Sequence, residues 1–249
     1  MKILVIGLES ADPSVLVENE RMINVRHLMT IGCFGSLEPA DSDEHLSGWD
    51  CMAASRAPGL APTPRTPIWD HLAAGGRRSV LFGLPQPADA PAEDNGLIRR
   101  YSSCRDSDNR LLFELSRDAS WDYLQWVEEG ADYRDPDPEY WARLDRTIGE
   151  LLESITDETV VLVVAIPCPS GSDSPRGCFV LAAANNPLNG PVEGARLIDM
   201  APTLLELSGF PPLPGAQGVS LASPVSQSAG ETDDEEIMRD RLRGLGYIA

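Results

Sequence analysis

Two adjoining stretches constrain this chain more than any others. Residues 137–155 carry Tyr140, Trp141, Leu144, Ile148, Leu151, Leu152 and Ile155 at three- and four-residue steps, one apolar stripe along a helix. Directly after it, Val160–Ile166 is an unbroken, largely β-branched apolar run, the pattern of a strand buried on both faces. A helix that must hide one stripe, followed by a strand that must hide both sides, calls for a layered α/β fold.

The rest of the chain repeats that alternation. Ile3–Ile6, Cys33–Leu37, Ser79–Phe82, Tyr123–Val127 and Cys178–Ala182 read as further short strands. Val25–Ile31, Ser47–Ser55, Pro67–Ala74 and Leu197–Leu207 read as helices, with Gly75 and Gly76 just past the end of the third. Residues 84–110, rich in Pro, Asp, Asn and Ser, read as an irregular insertion extending to about residue 120. Residues 211–232 read as an edge loop running into a flexible linker, and Asp233–Leu245 as a terminal helix with acids at its start, where they suit the dipole. The expected architecture is a mostly parallel sheet sandwiched by helices: one α/β domain over 1–222, then a linker and C-terminal helix over 223–249. In such folds sites lie at the carboxyl ends of strands, which here are the stretches 6–10 and 166–168. Gly7 reads as a lone turn glycine and not as part of a dinucleotide fingerprint.

Charge narrows the partners. The 249 residues hold 39 acids against 20 bases, a net charge of −19, and Lys2 is the only lysine. So acidic a surface repels nucleic acid and anionic membranes, and neither is expected as a partner. No run approaches the roughly 18 apolar residues of a membrane span, and the start of the chain makes a poor signal peptide. Five scattered cysteines without a C-x-x-C argue for reduced thiols and a cytoplasmic location.

Five ordered blocks resemble the type I phosphodiesterase/nucleotide pyrophosphatase branch of the alkaline phosphatase superfamily. They are VIGLESADPSVL at 5–16, GWDCMAASRAPG at 48–59, TPIWDHLAAGGRRSVLFGLP at 66–85, VEGARLIDMAPTLLELSGFPPLPGAQGVSL at 192–221 and EEIMRDRLRGLGYIA at 235–249. The resemblance implies an alkaline-phosphatase-like core with a reduced cap, and a reaction in which a hydroxyl at a helix N-terminus works between two divalent metals. Its site positions depart from the pattern one by one. The first-strand aspartate ligand falls on Glu9, and the nucleophile on Asp50, a carboxylate that would repel a phosphate. A third acid falls on Asp132, but its companion histidine position is Pro136. The S-D-H-G of the later strand becomes Ala165-Ile166-Pro167-Cys168, and the late block carries Gln217 where the family has an aspartate. The three histidines are His27, His45 and His71, so none serves the second half of the chain.

The first reading is therefore a catalytically inactive, phosphodiesterase-like pseudoenzyme: a binding or scaffolding subunit with a protein partner or a copy of itself. It has no catalytic residue, metal or cofactor, and its vestigial cleft is open to a small-molecule ligand. The alternative is a diverged phosphoric ester hydrolase holding one hard cation, Mg²⁺, Mn²⁺ or Ca²⁺, on the all-oxygen trio Glu9, Asp50 and Asp132. A third reading is a ligand sensor without turnover. Asp50 also has a purely structural role available, since an acid in a first helical turn complements the dipole. Cys51 with His45 lacks an orienting third group, and Ser47 lacks the glycines of a nucleophile elbow.

Overall fold

Alternating burial along β1 (Lys2–Glu9) shows how the layers arise. Ile3 and Val5 enter one hydrophobic cluster, and Leu4, Ile6 and Leu8 enter the other. A strand sorting its side chains to two cores must have helices above and below it. The computed structural model describes residues 1–9, 16, 19–38, 48–57, 66–84, 96–101, 109–118, 120–128, 138–166 and 177–223.

After β1 come α1 (Ile23–Ile31), β2 (Cys33–Glu38), α2 (Gly48–Ala54), α3 (Ile68–Ala74) and β3 (Ser79–Phe82). Then follow β4 (Ile98–Tyr101), α4 (Asn109–Arg117), β5 (Tyr123–Glu128), α5 (Pro138–Ser154) and β6 (Thr159–Ile166). The last elements are β7 (Gly177–Ala182), β8 (Gly190–Pro191), β9 (Ala195–Arg196), a 3₁₀ turn (Leu197–Asp199) and α6 (Met200–Leu207). They form a nine-stranded sheet in the order β4-β3-β5-β1-β6-β7-β2-β8, with β9 also on β2. Every pairing is parallel except those made by β7, which runs against both β6 and β2. Helices α1, α4 and α5 cover the face of Leu4 and Ile6, while α2, α3 and α6 cover the face of Ile3 and Val5. The mixed sheet between helical layers is the expected α/β architecture. Among the described residues no helix is long and apolar enough to cross a membrane.

Three expectations change. The stretch 84–110 is not irregular throughout: it supplies β4, the outer strand beside β3, and the start of α4. Arg99 and Arg100 hide the alternation there, yet Ile98 reaches one core and Tyr101 stacks on Phe82 at 4.7 Å on the other face. Gly7 lies inside β1 and makes no turn. Its missing side chain is filled by Trp49 of α2, whose indole would overlap any Cβ placed there. The helix expected over Leu197–Leu207 opens as the 3₁₀ turn. The terminal helix Asp233–Leu245 lies outside the described residues, whereas 211–223 forms an ordered loop with Leu213, Ser220 and Leu221 buried.

Helix α1 has no cap of its own, since Met22 precedes it and its first turn lacks an acid. The cap comes from α5. Buried Asp145 accepts from the backbone N–H of Asn24 at 3.0 Å and of Val25 at 3.3 Å, and from Asn24 Nδ2 at 2.9 Å. One turn later Gly149 leaves room for Asn24, where a Cβ would come within 2.7 Å of Nδ2. Asp145→Ala leaves two helix N–H groups unsatisfied in a half-buried setting and is expected to cost about 2 kcal/mol. Asp145→Asn, which keeps one acceptor oxygen, should cost about half as much, and urea titration of both variants checks the order.

Candidate functional site

The carboxyl end of the sheet collects the residues that the sequence singled out. Glu9 ends β1 and stands in register with Ile166, the last residue of β6. By alternation Glu9 shares the face of Ile3, Val5 and Gly7, the face covered by α2. Gly7 admits the Trp49 ring, which is 2 % exposed, so the first turn of α2 is pinned over the end of β1. Asp50 lies in that turn, half-buried like Glu9. Its place in the first turn suits the helix dipole, the structural role open to it.

The start of α2 makes an apolar contact with the end of β6. Gly48 opens α2, and a Cβ on it would stand 2.8 Å from Ile166 Cγ2 and 3.4 Å from Leu197 Cδ2. The start of the helix thus rests on the side chains of Ile166 and Leu197. A helix N-terminus offers N–H groups and a positive partial charge to an anion only where the anion can reach it. Here a branched hydrocarbon side chain packs against the helix start from the position where the resemblance puts an aspartate ligand.

No group of three His, Cys, Asp or Glu that could hold a metal occurs among the described residues. Ile166 has no donor atom, and neither does the proline that follows it in the sequence. Asp132, the third member of the proposed acidic trio, lies outside the described residues, as do Pro136, Pro167, Cys168, His45 and Ser47. Among the described residues, the structure therefore brings Glu9 and Asp50 to one end and one face of the sheet. His27 is exposed on α1, and His71 Nε2 lies 3.0 Å from the carbonyl of Pro211, a loop tie far along the chain from either acid. Cys51 is buried within α2.

Of the residues that fix this end of the molecule, sequence reasoning noted Gln217 and passed over the rest. Asp199, 4 % exposed, accepts from the backbone N–H of Val219 at 2.8 Å and of Arg196 at 3.0 Å, and its carboxylate also holds the Arg196 guanidinium at 2.8 Å. The Asp199 bonds hold the Arg196 pKa above its ordinary value. Thr203 Oγ1 donates to the Asp199 carbonyl and accepts from Leu221 N–H at 2.9 Å. Ser55, buried at the end of α2 with φ 52°, donates to the Ile198 carbonyl at 2.7 Å and accepts from Gly218 N–H at 3.0 Å. A serine in the left-handed region is strained and persists because these bonds hold it. Gln217 closes the same clamp, its Oε1 accepting from Ala57 N–H at 2.9 Å. The late sequence block is thus structural, tying the loop 217–221 to α2 and α6. On the other face, Tyr140 Oη donates to Glu128 at the end of β5, and burial, then the Glu128 charge, raises the Tyr140 pKa.

No family model matches the chain, and no curated protein sequence does. Solved structures do. A protein of the alkaline phosphatase superfamily from Vibrio parahaemolyticus aligns over 90 % of this chain and 70 % of its own, with a TM-score of 0.64 at 13 % identity. The phosphonate monoester hydrolase of Silicibacter pomeroyi aligns over 88 % and 75 %, with a TM-score of 0.63 at 12 % identity. Murine ectonucleotide pyrophosphatase/phosphodiesterase 5 aligns over 86 % and 96 %, with a TM-score of 0.59 at 10 % identity. At this identity the likeness concerns the backbone fold alone. The chain therefore carries the fold of the alkaline phosphatase superfamily.

Proposed function

We propose that this chain is a catalytically inactive member of its fold group that serves as a binding or scaffolding subunit. One observation carries the reading: Ile166, in register with Glu9, packs against Gly48 at the start of α2. In the metal-dependent reaction that the resemblance implies, this corner holds ligands, a nucleophile and a developing negative charge. Hydrocarbon there supplies no ligand and no hydrogen bond. The Asp50 carboxylate adds charge repulsion against a phosphoryl group. The clamp made by Ser55, Asp199, Thr203 and Gln217 preserves the surface around the corner, so the frame outlasts the chemistry.

A diverged hydrolase is the second reading, favoured by the placement of Glu9 and Asp50 on one face at one end of the sheet. The two separate in a single set of assays. The purified protein is incubated with an aryl phosphodiester and Mg²⁺, Mn²⁺ or Zn²⁺ in turn, beside Asp50→Asn. The expected result is hydrolysis at the buffer rate for both proteins, with no stoichiometric metal retained. Metal-dependent, saturable turnover that Asp50→Asn abolishes would overturn the scaffold reading. Isolation from the native source, followed by identification of stably co-purifying chains, tests the binding role: a stoichiometric partner or a defined self-assembly is expected.

A further inference from the structure

A small cleft lies at the amino-terminal ends of β3 and β4, the opposite end of the sheet from Glu9 and Asp50. Arg78, Arg99, Asp118, Ser120 and Trp121 are among the residues that border it, and its volume is about 10 Å³. That is room for roughly one oxygen-sized group. Arg99 is paired in register with Val80, whose side chain belongs to the α1, α4 and α5 face, and Arg78 precedes β3 with the same parity. The two exposed arginines therefore lie on one face beside one opening.

In a chain where acids outnumber bases about two to one, an arginine finds a carboxylate easily. Among the described residues, neither the Arg78 nor the Arg99 guanidinium makes a hydrogen bond or an ion pair. The local carboxylates are engaged elsewhere. Asp118, the one that borders the cleft, accepts from Ser120 N–H at 3.1 Å and from Ser120 Oγ at 2.7 Å. These bonds lower the Asp118 pKa, with smaller help from the Arg99 and Lys2 charges. Asp122 takes the Arg77 guanidinium at 3.2 Å and the Arg78 backbone N–H at 2.9 Å. Lys2, the only lysine, places its Nζ 4.3 Å from the centre of the Trp121 ring, adding positive charge beside the same opening. Positive charges gathered beside one opening repel each other, and an anion between them relieves that repulsion.

We propose that this cleft binds a single oxyanion group, a phosphate or a carboxylate, with one oxygen in the opening and the others on the Arg78 and Arg99 guanidinium groups. The site is independent of the reading given to Glu9 and Asp50, because it lies at the other end of the sheet and needs no metal. Planar guanidinium forks suit such oxygens.

Calorimetric titration of the full chain with inorganic phosphate, at constant ionic strength set by chloride, tests the site. Saturable one-site binding is expected. The Arg78→Gln/Arg99→Gln double variant should weaken it by about tenfold or more, which is the loss of charge-assisted bonds from two groups. Arg110→Gln, which breaks an exposed pair with Glu114 on α4, should leave it unchanged. Thermal melts show whether the variants remain folded, and both cleft arginines are exposed enough for that to be expected. A short oligoglutamate peptide in competition separates the sources: displacement of phosphate by the peptide identifies a protein carboxylate as a competent occupant, and its failure to compete identifies a free phosphate group. Heat that merely follows ionic strength, or binding equal in the wild type and the double variant, would overturn the proposal.

Discussion

Gly7→Val is expected to be among the most damaging single substitutions in this chain, costing about 4 kcal/mol or enough to prevent folding. The Trp49 ring occupies the place of the missing Cβ, with Cζ3 at 2.8 Å and Cζ2 at 3.0 Å from where that atom would stand. Neither side yields cheaply. Gly7 is hydrogen-bonded into the centre of the sheet between β5 and β6, and Trp49 is 2 % exposed under α2. An added side chain must eject the indole, and with it the first turn of α2 that carries Asp50. Glycine in a strand interior is unfavourable on its own account, so only a close approach explains its retention. A double-variant cycle isolates the cause. In a Trp49→Ala background the ring is absent, and Gly7→Val should cost about 1 kcal/mol or less, which leaves a coupling of about 3 kcal/mol. Urea titration of the four proteins measures it. Equal costs in both backgrounds would show that the glycine serves something other than the indole.

That contact also shows what the amino-acid sequence discloses and what it withholds. Strands buried on both faces announce themselves, because β6 and β7 have no solvent side to interrupt their apolar runs. The α5 stripe is equally plain, since a long helix repeats its period several times. β4 was obscured because two of its four residues are arginines, and β8 and β9, two residues each, are too short for any period to develop. Gly7 was legible as unusual, but nothing local says that a tryptophan 42 positions later fills it. The α1 cap is hidden for the same reason: Asp145 and Asn24 are 121 residues apart, and the helix start itself contains no capping signal. At the site, the carboxyl-end placement of Glu9 and Asp50 followed from the strand and helix assignments. The packing of Ile166 on the start of α2 did not, because side-chain contact between a strand end and a helix start depends on the packing of three elements. Asp132 belongs to the expectation alone, outside the described residues.

Removing the Asp199 carboxylate is the second large effect, and it tests whether the late sequence block is structural. Asp199→Ala takes the acceptor from Val219 N–H, Arg196 N–H and the Arg196 guanidinium at once, in a place 4 % exposed. A buried donor left without an acceptor costs about 1–3 kcal/mol, and bonds to a charged group lie at the upper end of that range. The guanidinium, 44 % exposed, recovers water and contributes little to the loss. The two backbone donors dominate, for an expected total of about 3 kcal/mol. Asp199→Asn keeps one acceptor oxygen and should cost about half. The sign of the pH dependence follows from the arginine. Its folded-state pKa is raised above its ordinary value, so its contribution is fully present below that ordinary value and is lost only as pH rises beyond it. Across the neutral range the Arg196 charge therefore adds no slope, and the wild-type advantage over Asp199→Asn should not change through arginine titration between pH 6 and about pH 9. Amide hydrogen exchange locates the damage: Val219 and Leu221 should lose protection in Asp199→Ala while the centre of β6 keeps it. Uniform loss of protection through β6 would show that Asp199 supports the whole sheet, and the clamp would then not be a local closure of the loop onto α2 and α6.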